Sequence, residues 1–282
     1  MNQPAAPLLR VENLEVEYRK AGWRKPANRV LHGVSLDIRE GETLGLVGES
    51  GSGKTTLGRS ILGLVPVASG QILYAGRDIT HARRRDRRAL AKEIQVVFQD
   101  PYSSLNPSLL VSDILSEPLR AAGISGTESR KRVRELLDRV GMPADASERY
   151  PVEFSGGQRQ RIAIARALAL EPRLIICDEP VSALDLSTQA RVLDLLIDIQ
   201  ERTGVSLLVI SHDLSVVRAV CHRVAVMFKG EIVEQGSTSS VIDNPTQTYT
   251  KKLLLAAPVS DPDEQRQRRE ARRLLAEAEP AL

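Results

Sequence analysis

The stretch ETLGLVGESGSGKTTLGRSILGL, residues 42–64, decides how this chain is read. Its opening, ETLGLVG, is an apolar run ending in glycine and fits a strand, whereas KTTLGRSILGL, from Lys54 to Leu64, carries apolar residues at helical spacing. Between them GESGSGKT, residues 48–55, fits the pattern G-x-x-x-x-G-K-[ST]. A glycine-rich turn at that junction can wrap a phosphate in the N–H groups of Gly51 through Thr55, because Gly51 and Gly53 remove side-chain bulk. Lys54 adds positive charge and Thr55 a hydroxyl ligand for Mg2+; Gly48, Glu49, Ser50, Ser52 and Thr56 complete the cradle.

Further apolar runs surround this unit. LLRVENLEVEY (8–18) and VLHGVSLDI (30–38) read as strands, as do RLIICDE (173–179) and VSLLVISH (205–212), and RVAVMFKGEIVEQG (223–236) reads as a hairpin. STQARVLDLLIDIQERTG (187–204) is helix-like, with Val192, Leu195, Leu196 and Ile199 on one face and Gly204 suited to its C-terminal cap. Short apolar strands alternating with helices predict an α/β fold whose parallel sheet is covered on both faces. Residues 103–170 have a helical pattern and no comparable strand run, so they read as a helical insertion.

The ends of those strands carry the remaining chemistry. In LIICDEP, Asp178 closes a buried strand where it can hold Mg2+, and Glu179 is placed to polarise an attacking water; such paired acids can also cap the helix that follows. His212 follows another strand, at the edge where ligands of parallel sheets bind, while His32, His81 and His222 have no such context and read as surface or structural. Gln99, closing IQVVFQD, can reach Mg2+ or the attacking water through a neutral amide. Tyr18, ending the first strand, can stack on adenine, with Trp23 as the alternative.

Composition narrows the function classes. The chain has 282 residues, a net charge of +3 and only 3% aromatic residues, which gives no support to nucleic-acid binding. Cys177 and Cys221 lie far apart without CxxC spacing, so neither a zinc site nor a disulfide framework is expected; Cys177 reads as a small buried hydrophobe, and a reducing cytoplasm fits. The N-terminal stretch lacks the apolar segment of a signal peptide, and no apolar run is long enough to cross a bilayer. RRRDRR (83–88) reads as a solvated helix face rather than a lipid contact. From residue 259 the composition turns to charged residues and alanine, which predicts a frayed tail or an exposed helix.

One motif duplicates the first. FSGGQRQRIAIARAL (154–168) opens a second helix with Ser155, Gly156 and Gly157, another natural phosphate site. Taken in order, GESGSGKT, VVFQDP, FSGGQRQR, LIICDEP, SALD and SHD resemble the ABC ATPases, the nucleotide-binding subunits of ABC transporters. The resemblance covers roughly residues 8–258 and implies the fold of that family: a P-loop NTPase core, an N-terminal antiparallel β subdomain and a helical subdomain at about 103–170, followed by the charged tail 259–282.

It further implies that Ser155, Gly156, Gly157 and Gln158 cap the γ-phosphate of ATP held by a second subunit, which would explain two cradles in one chain. Asp185 in SALD is implied to act across the same dimer interface, and the loop from Gln99 to touch the membrane subunit. GESGSGKTTLGR, VFQDPYSSLNP, EPVSALDLSTQARVLDLL and DNPTQTYTKKLLLAAP are most similar to the second ATPase subunit of peptide and nickel importers, although Gln247, Thr248 and Tyr249 stand where His-Pro-Tyr is usual. The implied partners are two permeases, a second ATPase and, indirectly, an extracytoplasmic solute-binding protein, with the chain peripheral on the cytoplasmic face of the membrane. A soluble ABC ATPase of DNA repair or translation is the rival expectation.

Overall fold

The computed structural model describes residues 6–18, 28–257 and 261–277; Trp23 lies outside them. The chain begins with β1 (Leu9–Tyr18), β2 (Asn28–Ile38) and β3 (Thr43–Val47), and the glycine loop then enters α1 (Lys54–Ile61). A hairpin of β4 (Ser69–Tyr74) and β5 (Arg77–Asp78) precedes α2 (Arg84–Glu93) and β6 (Ile94–Val97). The segment expected to be helical contains α3 (Pro101–Ser104), α4 (Val111–Ala121), α5 (Gly126–Arg139) and α6 (Gly156–Leu168). There follow β7 (Leu174–Asp178), α7 (Leu186–Thr203), β8 (Ser206–Ser211), α8 (Leu214–Val220), β9 (Arg223–Phe228) and β10 (Glu231–Ser237). Three helices close the described chain, α9 (Thr238–Asp243), α10 (Thr248–Ala256) and α11 (Pro262–Glu277).

The central sheet has the order β10-β9-β3-β8-β7-β6. All its neighbours are parallel except β9 and β10, which form the expected hairpin around Lys229 and Gly230, both at positive φ. A second, antiparallel sheet has the order β2-β1-β4-β5. Its hairpin β4–β5 escapes the sequence pattern because Ala75-Gly76 occupies the turn where Asn-Gly or Asp-Gly would announce one.

Side-chain alternation along the central strands explains why they are apolar at every position. Val47, Cys177, Val209 and Val226 enter a core built with the helices α4 to α8, whereas Leu46, Ile176, Ile210 and Met227 enter a second core with α1 and the antiparallel sheet. Each fully buried Leu or Ile contributes about 1.5–3 kcal/mol, so both faces anchor the sheet. Because the strands from β9 to β6 are parallel, the C-terminal ends of β3, β6, β7 and β8 share one edge.

Two local expectations are refined. In the basic cluster 83–88, Arg87 turns inward and donates to Ile61 O at 3.1 Å and Ile79 O at 2.7 Å, so only part of the cluster is a solvated face. Residues 262–277 form α11, the helix alternative for this stretch, and Arg268 donates to Leu254 O and Ala257 O, satisfying carbonyls at the end of α10.

Candidate functional site

The glycine loop leaves β3 at the shared edge. Gly53 sits at φ 111° as the cap of α1, and a Cβ there would lie 2.8 Å from Leu31 Cδ2; a Cβ on Gly48 would lie 2.1 Å from Met227 O. Backbone conformation and close approach therefore both demand glycine. Lys54 Nζ donates to Gly48 O at 2.7 Å and Glu49 O at 2.8 Å, which folds the loop around the ammonium. Burial lowers the Lys54 pKa, against the opposing pull of the Glu179, Asp178 and Glu49 carboxylates. Ser52 is buried behind the loop, with its main-chain oxygen accepting from Gly230 N at 2.8 Å.

The strands beside β3 deliver the acids. Thr55 Oγ1 donates to Asp178 Oδ1 at 3.0 Å, and burial, with Glu179 adding to it, pushes the Asp178 carboxyl up. Glu179 follows at φ 49°, a left-handed conformation that costs a bulky residue about 1–3 kcal/mol and is held by its N–H bond to Ile210 O at 2.9 Å. Its carboxylate is gripped from two sides: Gln99 Nε2 donates to Oε2 at 2.8 Å, and His212 Nδ1 lies 3.2 Å from Oε1. These contacts converge from the ends of β6, β7 and β8.

The result is an open cleft of about 660 Å³ lined by Glu49, Ser50, Gly51, Gly53, Lys54, Thr55 and Thr56 together with Gln99, Glu179 and His212. Val30 and Leu253 also line it. Leu253 belongs to α10, and the loop's Glu49 N donates to Tyr249 Oη of that helix at 3.1 Å. Both residues lie in DNPTQTYTKKLLLAAP, which carries part of the family resemblance, but nothing in that stretch points to the loop, since a helix some 200 positions downstream reaches it only through the fold. Tyr18 stands at the end of β1 with its hydroxyl 3.5 Å from Thr56 Oγ1.

The second cradle does not join this cleft. Ser155 Oγ accepts from Gln158 N at 3.4 Å and Gln158 Oε1 accepts from Ser155 N at 3.0 Å, a reciprocal cap at the start of α6. Gly156 and Gly157 follow in its first turn, and a Cβ on Gly157 would lie 2.1 Å from Thr188 Cγ2 of α7. Asp185 caps α7, accepting from Ser187 Oγ at 2.7 Å and Thr188 N at 3.0 Å, bonds that hold its carboxyl well below the usual range. Asp185, Tyr18 and Ser155 through Gln158 are absent from the cleft lining.

The residues fit a phosphate chain and a hard divalent cation: a buried ammonium bonded to main-chain carbonyls, a loop whose close packing a Cβ would break, and a hydroxyl–carboxylate pair of oxygen donors. Among the described residues no helix is long and apolar enough to cross a membrane.

Comparison with known proteins agrees with this geometry. The chain is 50% identical over 263 residues to the oligopeptide transport ATP-binding protein OppD of Mycobacterium tuberculosis, covering 92% of this chain but 43% of that protein, so it spans less than half the length of that relative. It is 49% identical over 259 residues to the oligopeptide transport ATP-binding protein OppF of Lactococcus lactis subsp. lactis, covering 90% of this chain and 81% of that one. A solved structure described as a dimeric post-hydrolysis state of the ATP-binding cassette MJ0796 bound to ADP and Pi superposes with a TM-score of 0.73 at 30% identity, over 82% of this chain and 98% of that chain. The profile of the family described as ABC transporter matches residues 31–182, and the chain belongs to that family.

Proposed function

We propose that this chain is the ATP-binding and ATP-hydrolysing subunit of a membrane importer for peptides or related small solutes. The observation that carries the reading is a single cleft lined by Lys54, by Thr55, which is bonded to Asp178, and by a Glu179 carboxylate held between Gln99 and His212. In this reading residues 8–258 form the nucleotide-binding domain, 103–170 its helical subdomain and 259–282 a charged tail.

The N–H groups of Gly51 through Thr55 and the Lys54 ammonium take the phosphates, and Tyr18 takes the adenine. Thr55 and Asp178, with Gln99 at hand, would hold Mg2+, which when bound neutralises charge on the phosphates. Glu179 orients and polarises the water that attacks the γ-phosphorus, the bond from that phosphorus to its bridging oxygen breaks, and ADP and inorganic phosphate result. His212 fixes the carboxylate and faces the γ-phosphate.

Ser155, Gly156, Gly157 and Gln158, remote from the cleft they would otherwise serve, complete the site of a second subunit, and Asp185 acts at the same interface. Two half-sites close on ATP and part after hydrolysis, because ATP binds the closed dimer better than the open one. The relative described as a dimeric cassette supports this arrangement, and the two relatives named for oligopeptide transport support the cargo class.

Exposed Tyr102 and Val152, bridged by an Arg159 guanidinium 4.2 Å above the Tyr102 ring and donating to Val152 O, offer an apolar surface beside the Gln99 loop for a permease on the cytoplasmic face of the membrane. The partners are then two permeases and a second ATPase, served by an extracytoplasmic solute-binding protein. The test is a mild-detergent pull-down of the tagged protein from native membranes, followed by mass spectrometry. Recovery of two multi-span permeases and a second ATPase is expected; recovery of ribosomal or nucleic-acid proteins alone would transfer the cleft to a soluble ABC ATPase.

A further inference from the structure

The peptide unit joining Gly48 to Glu49 is bonded at both ends by side chains. Its carbonyl, Gly48 O, accepts from Lys54 Nζ at 2.7 Å, and its N–H, on Glu49, donates to Tyr249 Oη at 3.1 Å. One partner comes from within the loop. The other comes from α10, some 200 residues downstream.

Tyr249 is itself firmly placed. Its ring packs on Phe228 at the end of β9 with centroids 4.1 Å apart and planes inclined by 34°. The entry to α10 is tied to β10 by the Glu234 carboxylate, which accepts from Thr246 N at 2.7 Å, Thr246 Oγ1 at 2.8 Å and Gln247 N at 3.2 Å. One turn beyond Tyr249, Leu253 lines the cleft. The hydroxyl therefore reaches the loop from a platform bound to two strands of the central sheet.

We propose that Tyr249 is a positioning residue for nucleotide binding, whose bond to Glu49 N–H sets the Gly48–Glu49 peptide plane and lets α10 tune the ATP affinity of the cleft. The inference rests on reading the cleft as an ATP site. The loop has little side-chain packing of its own, since it is built from glycine, serine and one glutamate, so hydrogen bonds must hold its shape. The peptide plane set by Tyr249 presents the carbonyl that anchors Lys54, and Lys54 must point its ammonium at the phosphates. Freeing that plane lets the ammonium and the first turn of the loop wander before ATP arrives, so binding then carries an ordering cost that the wild type avoids.

The test uses the full chain with Tyr249→Phe, which keeps the ring on Phe228 and removes only the hydroxyl. Titration with a fluorescent ATP analogue should show affinity about three- to tenfold weaker, the worth of one hydrogen bond. KM for ATP should rise by the same factor with kcat within about twofold, and the nucleotide-free melting temperature should stay near the wild-type value. An unchanged or tighter Kd would overturn the proposal, as would a lowered melting temperature with unchanged Kd, which would make the contact structural only.

Glu234→Gln should weaken ATP binding in the wild-type background but add little to Tyr249→Phe, because both act through the same bond; fully additive losses would overturn the route through α10. Wild-type protein that binds no ATP analogue would defeat the reading of the cleft and this inference with it. Wild-type protein that binds, with a variant that binds equally well, would defeat this inference alone.

Discussion

Thr55 Oγ1 donates to Asp178 Oδ1 over 3.0 Å, joining the first turn of α1 to the end of β7. The two oxygens satisfy each other, and together they would hold Mg2+.

Asp178→Asn keeps an oxygen able to accept from Thr55 and removes the charge. Folding raises the Asp178 pKa through burial, so its contribution to stability is present below the unfolded pKa and lost as the pH rises through the folded one. Above the folded pKa the ionised carboxylate is therefore a cost. The variant should melt at or above the wild-type temperature in the absence of Mg2+ and nucleotide, while Mg2+-dependent ATP hydrolysis falls at least about a hundredfold. A clear drop in melting temperature would contradict this account.

Glu179→Gln retains a side chain that Gln99 can reach but cannot take a proton from water. Hydrolysis should fall about 10²- to 10⁴-fold while ATP binding persists, and ATP should then accumulate the protein as a closed dimer on size-exclusion chromatography. Turnover close to the wild-type rate would remove Glu179 from the role of base.

Ser155→Arg loses the reciprocal cap on α6, worth about 1 kcal/mol, and places a long cation where a partner's phosphate would sit. Turnover should vanish, yet ATP binding by the isolated subunit should remain near normal because Ser155 does not line its own cleft. If monomer binding is lost as well, the cross-subunit assignment fails.

Arg87→Ala should destabilise the protein by about 1.5–3 kcal/mol, since it strips charge-assisted bonds from Ile61 O and Ile79 O. Removal of its exposed neighbour Arg84 should change stability by no more than about 0.5 kcal/mol. Thermal melts of the two variants provide the comparison, and equal melting temperatures would return Arg87 to the solvated face predicted from composition.

Much of the cleft edge was legible because short-range pattern and backbone chemistry coincide there. GESGSGKT combines glycines required by positive φ and close approach with a lysine and threonine at fixed spacing, and Asp178 and Glu179 follow an apolar run of strand length. The β4–β5 hairpin was not legible, because Ala75-Gly76 makes its turn without the usual polar residue. Arg87 looks like any other member of RRRDRR, since the gap beside Gly63 and the carbonyls of Ile61 and Ile79 that draw it inward are brought there only by the fold.

The order of motifs along the chain determined the family, the α/β layers and the identity of the groups proposed to meet phosphate, because local periodicity and loop chemistry need only neighbouring residues. Tertiary structure alone decided which of those groups meet. Parallel pairing of β3, β8, β7 and β6 turns separations of 80 residues or more into bonds such as Gln99 to Glu179 at 2.8 Å. It also left Ser155 outside the cleft and carried Tyr249 to the loop. Such contacts depend on how helices and sheets pack over long sequence distances, and no periodicity records that packing.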